Sequence, residues 1–291
     1  MRIGIIGSEN SHTAAIAKTL NLDKEVPGFE VTHVWGETPE FAAKAAADGG
    51  IPTIVAEPTD MLGVVDAVLV DHRHGKYHLA AVRPFVEAGL PVFVDKPFTT
   101  DLKEGIEFVR LAKKKRVPIT SYSTVSLQQS AVAFAEEMRK MGQLRTLVTT
   151  GPVDIESPYG GVFFYAVHQV DLICNLVPAT PLKVSTSRQG ADGVATITFD
   201  DGCFAVVHCF KEKWGPQMYA TAHGAEGAVH AALVFDEKPY LTGVKRFCKM
   251  FETGVAPVPP ATYLRPVAVL AAMQQSFDTG RAVKVKKIPK L

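Results

Sequence analysis

Val92-Phe93-Val94-Asp95-Lys96-Pro97 is the stretch that decides the fold. A short apolar run between Gly89 and Pro97 reads as a buried parallel strand. Its carboxyl end presents an acid, an amine and a proline, and ligands of open α/β sheets bind in the crevice outside the strand carboxyl ends. Lys96 therefore stands where an ammonium group can meet a substrate, with Pro97 fixing the backbone as it leaves the strand. On its own the hexapeptide also reads as an ordinary strand exit with a solvated lysine. The neighbouring segments decide between the two.

One strand earlier, Val64 to Val70 is strongly apolar and runs into Asp71-His72-Arg73-His74-Gly75-Lys76-Tyr77-His78, followed by a helix to Ala88. His72, His74 and His78 invite a metal reading, since imidazole is a common ligand. No acid or cysteine spacing supports one, so no metal is expected and the loop is placed over the Lys96 crevice.

At the start of the chain, Arg2 to Ile6 is a strand that Gly7 breaks. Ser8 to His12 then lead into an alanine-rich helix, Thr13 to Leu20, which Ser11 or Asn10 could cap. Strand, glycine turn and helix in this order set backbone N–H groups and a helix N-terminus against a pyrophosphate. Gly7, Ser8, Asn10, Ser11 and His12 are the candidate contacts. Against G-x-G-x-x-G only Gly7 fits, with Glu9 and His12 in place of the second and third glycines. A second strand, Glu30 to Trp35, ends at Gly36-Glu37. Glu37 is placed to take ribose hydroxyls and to repel a 2′-phosphate, which favours NAD over NADP; its other reading is a first-turn acid of the next helix. Asp71, His72, Asp95 and Lys96 complete the candidate cofactor set.

Asp101 caps a helix from Leu102 to Lys115, and Val117 to Thr120 is a further strand. Strands alternating with helices through residue 120 mean a doubly wound parallel sheet covered on both faces. Beyond a helix from about Ser126 to Lys140 the pattern changes. Leu144 to Thr150, Val184 to Ser187, Val194 to Phe199, Phe204 to Cys209, Met218 to His223 and Ala228 to Ala232 read as short strands. They imply an α+β domain with a large, mostly antiparallel open sheet. The domains expected are 1–121 and 122–291, with a C-terminal helix at about 263–277 packing back on the first. One sheet face lacks helices to cover it, which points to a homo-dimer or homo-tetramer formed through that sheet. Within this half, Val162 to Leu176 is an apolar helix carrying Tyr165, His168 and Asp171 on one face.

With 31 basic and 30 acidic residues in 291, and 47% hydrophobic residues, neither nucleic acid nor an anionic membrane is implied as partner. Four cysteines without CxxC or zinc spacing read as reduced thiols. The first residues form too short an apolar run for a signal peptide, so a cytoplasmic location is expected.

Taken together these pieces resemble the Gfo/Idh/MocA family. The matching features are the N-terminal unit at Gly7, His78 before a helix ending in Ala88-Gly89, Asp95-Lys96-Pro97, and Gly160-Gly161 followed by His168-x-x-Asp171. The step from His78 to Asp95 and the ending Gly280 to Val285 agree as well. The resemblance implies a Rossmann domain, an open-sheet domain and nicotinamide-dependent oxidation or reduction of a sugar, polyol or related hydroxy/keto compound. It assigns catalysis to Lys96 and His168, with Tyr122, Tyr159, Tyr165 and Asp171 as substrate candidates. Three departures stand against the pattern. Phe164 replaces the catalytic aspartate four residues before the histidine, Glu9 and His12 degrade the glycine fingerprint, and Ser121 to Val125 contain no arginine. A ligand-binding or regulatory member of the family is the alternative.

Overall fold

The computed structural model describes residues 1–211 and 218–291, which form two compact units. Met1–Tyr122 and Tyr240–Pro260 make the first, Ser123–Pro239 and Ala261–Lys290 the second. No described helix is long and apolar enough to cross a membrane.

The first unit opens with β1 (Arg2–Ile6), α1 (Ser11–Asn21), β2 (Glu30–Trp35), α2 (Pro39–Gly49) and β3 (Thr53–Ile54). It continues with β4 (Ala67–Val70), α3 (His78–Glu87), β5 (Val92–Val94), α4 (Leu102–Lys115) and β6 (Ile119–Thr120). The six strands pair in the order β3-β2-β1-β4-β5-β6, each neighbour parallel. Every residue of β4 and β5 is buried, as continuous apolar strands covered on both faces require. The order reverses between β1 and β4, and the crevice for a ligand opens at that switch point. Local chemistry sets the helix ends. Thr38 accepts the Phe41 N–H at 3.2 Å with Pro39 as the first residue of α2. Asp101 accepts the N–H groups of Lys103 and Glu104 at 2.7 and 3.2 Å, and Lys113 to Lys115 close α4 where cations favour the dipole.

The second unit contains α5 (Gln129–Arg139), β7 (Leu144–Pro152), α6 (Val162–Leu176), β8 (Pro181–Gln189), β9 (Asp192–Phe199), β10 (Phe204–Phe210), β11 (Met218–Gly224) and β12 (Ala228–Leu233). The chain then returns to the first unit as α7 (Leu241–Thr253) and finishes in the second with α8 (Ala261–Thr279) and β13 (Val283–Lys284). The second sheet runs β12-β11-β7-β10-β9-β8-β13, antiparallel at every pair except β7–β10. Alternation sorts its faces. Leu147, Ala195, Ile197, Ala205 and Val207 are fully buried, whereas Val194 and Phe204 remain 39% and 43% exposed on the other face.

The C-terminal helix, expected to pack back on the first domain, packs as α8 on α6 and β8 within the second unit. Tyr263, Leu264, Val267, Ala268, Leu270 and Ala272 are buried around its circumference, so it needs partners on more than one side. The late segment that belongs to the first unit is α7, which the sequence reading left unassigned. Val244, Phe247, Cys248 and Phe251 form its buried stripe, with Phe247 on the Phe93 ring of β5 at 4.9 Å.

Candidate active site

The turn after β1 is built by close approach. Gly7 has φ +99°, and a Cβ there would lie 2.7 Å from the His72 amide nitrogen, so no side chain fits. The following N–H groups, of Ser8 and Glu9, both donate to Glu37 Oε2, at 2.8 and 3.0 Å. Glu37 Oε1, Ser8 Oγ and His72 Nδ1 are buried without a hydrogen-bond partner. Leaving a buried polar group unsatisfied costs about 1–3 kcal/mol. Three such atoms at the ends of β1, β2 and β4 therefore fit a polar ligand, with Glu37 Oε1 an acceptor for a ribose hydroxyl. Glu9, which stands where a phosphate loop has glycine, is 3.6 Å from Arg73 Nη1, and this pairing offsets its charge.

Asn10 and Ser11 do not cap α1 as expected. Asn10 occupies the N-cap position, but its side chain makes no capping bond, and Ser11 is already helical and exposed. The amide of Asn10 instead reaches across the sheet ends to donate to Asp71 Oδ1 at 2.8 Å and Asp95 Oδ2 at 3.4 Å. With no acid in its first turn either, α1 keeps its N-terminal dipole for an anion.

Asp71 follows β4 and Asp95 follows β5, so parallel pairing brings the two acids together. Thr13 meets Asp71 Oδ2 at 2.7 Å, His12 Nδ1 lies 3.1 Å from Asp95 Oδ2, and Lys96 Nζ lies 4.0 Å from the same oxygen. Burial, then the neighbouring charge of Asp95, pushes the Asp71 carboxyl well above the usual carboxylate range. Burial works the same way on Asp95, but His12, Lys96 and His78 outweigh it and hold Asp95 below that range. His12, Asp71 and Asp95 are metal-ligand types within 4.8 Å of one another, yet Asn10, Thr13 and Lys96 already face these oxygens.

The loop histidines divide by role. His78 is fully buried, its Nδ1 and Nε2 each 2.8 Å from a carbonyl, of Pro97 and His72 respectively. It thus ties the loop after β4 to the one carrying Lys96. His74 Nδ1 accepts the Lys76 N–H at 3.3 Å. His72 is pushed down to about 3 by burial and so stays neutral near pH 7.

In the second unit α6 has the bounds its apolar run predicts, and it carries His168, Tyr165 and Asp171. His168 Nδ1 lies 2.7 Å from Ser123 Oγ, which also accepts the Val125 N–H. Ser123 is the partner that the sequence did not single out; only its place in the loop after β6 hinted at it. Asp171 accepts from Ser126 and Asn175 at 2.9 and 3.0 Å. Phe164 is buried, its ring centroid 4.9 Å from that of Tyr159 and 4.7 Å from that of Tyr165. Tyr122 departs from its expected place in the substrate set. It is buried in the first unit, donates to Gly243 O at 2.7 Å and packs on Phe93. A hydroxyl spent on the α7 backbone is a packing feature.

Residues 1–123 match the model of the family described as "Oxidoreductase family, NAD-binding Rossmann fold", of Gfo/Idh/MocA type. No curated protein matches the sequence. Among solved structures, myo-inositol 2-dehydrogenase from Lactobacillus plantarum is similar at 17% identity and TM-score 0.85, over 98% of this chain and 99% of that one. Scyllo-inositol dehydrogenase from Lactobacillus casei, with bound NAD(H) and scyllo-inositol, is similar at 15% identity and TM-score 0.83, again over 98% and 99%. Myo-inositol dehydrogenase from Lactobacillus casei, in complex with NAD(H) and myo-inositol, reaches 18% identity and TM-score 0.83 over 100% of this chain and 98% of that one. At these identities the likeness establishes the fold along the chain. The glycine turn and the Glu37 carboxylate that takes its N–H groups lie within the 123 residues that match the NAD-binding Rossmann model of the Gfo/Idh/MocA oxidoreductases.

Proposed function

We propose that this protein is an NAD-dependent dehydrogenase or reductase of a polyol or sugar, in which Lys96 holds the reacting oxygen and His168 moves the proton. The observation that carries the reading is Lys96 itself: a buried ammonium at the carboxyl end of β5, 4.0 Å from Asp95, on the same sheet edge whose β1, β2 and β4 ends carry three buried unpartnered polar atoms. Bound nicotinamide supplies the hydride acceptor or donor. A fixed cation at the reacting oxygen favours its alkoxide form, which develops as hydride leaves the carbon. Ser123 on Nδ1 orients the His168 ring, so proton exchange runs through Nε2. Tyr159, Tyr165 and Asp171 line the same helix and the loop before it, and they stand for the polar contacts of a polyhydroxy substrate. Inositols are the first compounds to try, because the similar solved enzymes are inositol dehydrogenases.

The test is a nicotinamide fluorescence titration with NADH, followed by a polyol and sugar panel with NAD. Tight NADH binding with turnover of a panel member supports the reading. Binding without any turnover would favour a non-catalytic, ligand-binding role. Glu37→Gln is expected to weaken NADH about tenfold, the scale of one charge-assisted hydrogen bond, and to narrow the preference for NADH over NADPH. An unchanged NADH affinity would remove Glu37 from the ribose.

Pairing of chains through the exposed face of the second sheet belongs to the same reading. Val194 and Phe204 are exposed there, with Thr196, Thr198 and His208 on neighbouring positions of the face. Light scattering should give at least twice the 31.4 kDa chain mass, and Phe204→Asp should lower it. A parent protein of single-chain mass would refute this pairing. The four cysteines are buried, free thiols, in keeping with a cytoplasmic location.

A further inference from the structure

The Thr13 hydroxyl donates toward Gly7 O at 2.9 Å and Asp71 Oδ2 at 2.7 Å. Two buried carboxyl groups in one site do not both ionise readily. Burial and the charge of Asp95 raise Asp71, whereas His12 and Lys96 lower Asp95 against its own burial, so Asp95 is the stronger acid of the pair and the carboxylate its basic neighbours share.

That carboxylate faces two basic side chains. Asp95 Oδ2 is 3.1 Å from His12 Nδ1 and 4.0 Å from Lys96 Nζ. The His12 side chain is 14% exposed, against 8% for Lys96 and 6% for Asp95, so His12 is the member that solvent reaches most. The groups around it come from five places. Thr13 lies on α1, Asp71 after β4, Asp95 and Lys96 after β5, and His78 on α3 adds its field at Asp95. The Tyr240 ring stands 5.1 Å from the His12 ring. His12 also holds the place that a dinucleotide fingerprint gives to its third glycine, where a side chain has to be accommodated at all.

We propose that His12 is a positioning residue for Lys96, its charge state setting how strongly the shared Asp95 carboxylate holds the Lys96 ammonium. With His12 protonated, the carboxylate is divided between two cations and the ammonium is freer to meet substrate oxygen. With His12 neutral, the whole charge of Asp95 falls on Lys96. The proposal rests on the proposed function for what Lys96 does, but its first test does not need turnover.

In protein labelled with 15N at lysine Nζ, the Lys96 signal is assigned by its loss in Lys96→Ala and followed against pH without cofactor. His12→Gln removes the competing cation, so the Lys96 titration should move up by about half a pH unit or more. His12→Lys keeps a cation and should leave it near the parent value. An unmoved Lys96 signal in a folded His12→Gln protein overturns the proposal, and so does a 13C carboxyl shift showing Asp71 ionised at pH 7. In turnover of myo-inositol with NAD, His12→Gln should lower kcat about tenfold, change KM little and flatten the acidic limb of the pH profile. A parallel loss of NADH affinity would make His12 a cofactor contact and overturn the positioning role. A parent that turns over no polyol sinks the proposed function alone, since the lysine titration still decides this inference.

Discussion

Lys96→Ala is expected to lower kcat on the order of a thousandfold, the scale of losing a preorganised charge at a developing oxyanion. The substitution removes the ammonium and leaves the elements of the dinucleotide crevice in place. Gly7, Ser8, Glu37 and the start of α1 do not depend on it, so NADH affinity should stay within about threefold of the parent. Removing Lys96 also leaves Asp95 with His12 as its near cation, which costs some stability because a buried carboxylate loses a partner. Stability is therefore read alongside, by thermal unfolding. A folded Lys96→Ala protein that turns substrate over at the parent rate would refute the assignment. One that loses NADH binding in step with kcat would place Lys96 on the cofactor rather than on the substrate.

The two acids of the buried pair should answer substitution by asparagine in opposite ways. Asp95→Asn leaves His12 and Lys96 facing an amide where a carboxylate stood, and breaking a buried charge pair costs about 3–5 kcal/mol. Asp71→Asn replaces a neutral acid by a neutral amide. The amide oxygen still accepts from Asn10 and the NH2 group can donate to Thr13, so little is lost.

The dependence on pH separates them further. Asp71 is raised in the folded protein, so from about pH 4 upward the native state holds a proton that the unfolded chain has released. Stability then falls as pH rises toward the folded value, and Asp71→Asn should gain on the parent as pH is raised from 5 to 8. Asp95 is lowered, so its contribution is fully present above the unfolded value of about 4 and is lost as pH falls through the folded one. Asp95→Asn should accordingly be worst at neutral pH and approach the parent in acid. Thermal unfolding at several pH values checks both. Equal losses for the two variants at pH 7 would mean that the proton is not on Asp71.

How much of this was legible in advance follows from the range of the forces involved. The strand at Val92–Val94, the cap at Asp101 and the bounds of α6 are written in apolar period and in the residues that start and stop a helix. Those signals act over a few residues, and a linear reading recovers them. The same reading missed α7, whose charged face outweighs its apolar stripe until the residues it packs on, such as Phe93, are known. It gave Tyr122 to substrate, and no local signal shows that Gly243, 121 positions on, takes its hydroxyl. It had the C-terminal helix of the second domain packing back on the first, since nothing local tells a helix which neighbours will bury it.

By itself, then, the sequence determined the alternation of strands and helices, the parallel first sheet and the placing of Lys96 at a strand end. Hydrophobic period and backbone chemistry are enough for that. Only the tertiary structure decided that His12, Asn10 and Asp95 meet, although 83 and 85 positions separate the two from Asp95. The opposite directions in which the two acids are shifted arise there too. A carboxyl group's charge depends on burial and on neighbours within a few ångströms, and in this chain a parallel sheet supplies both.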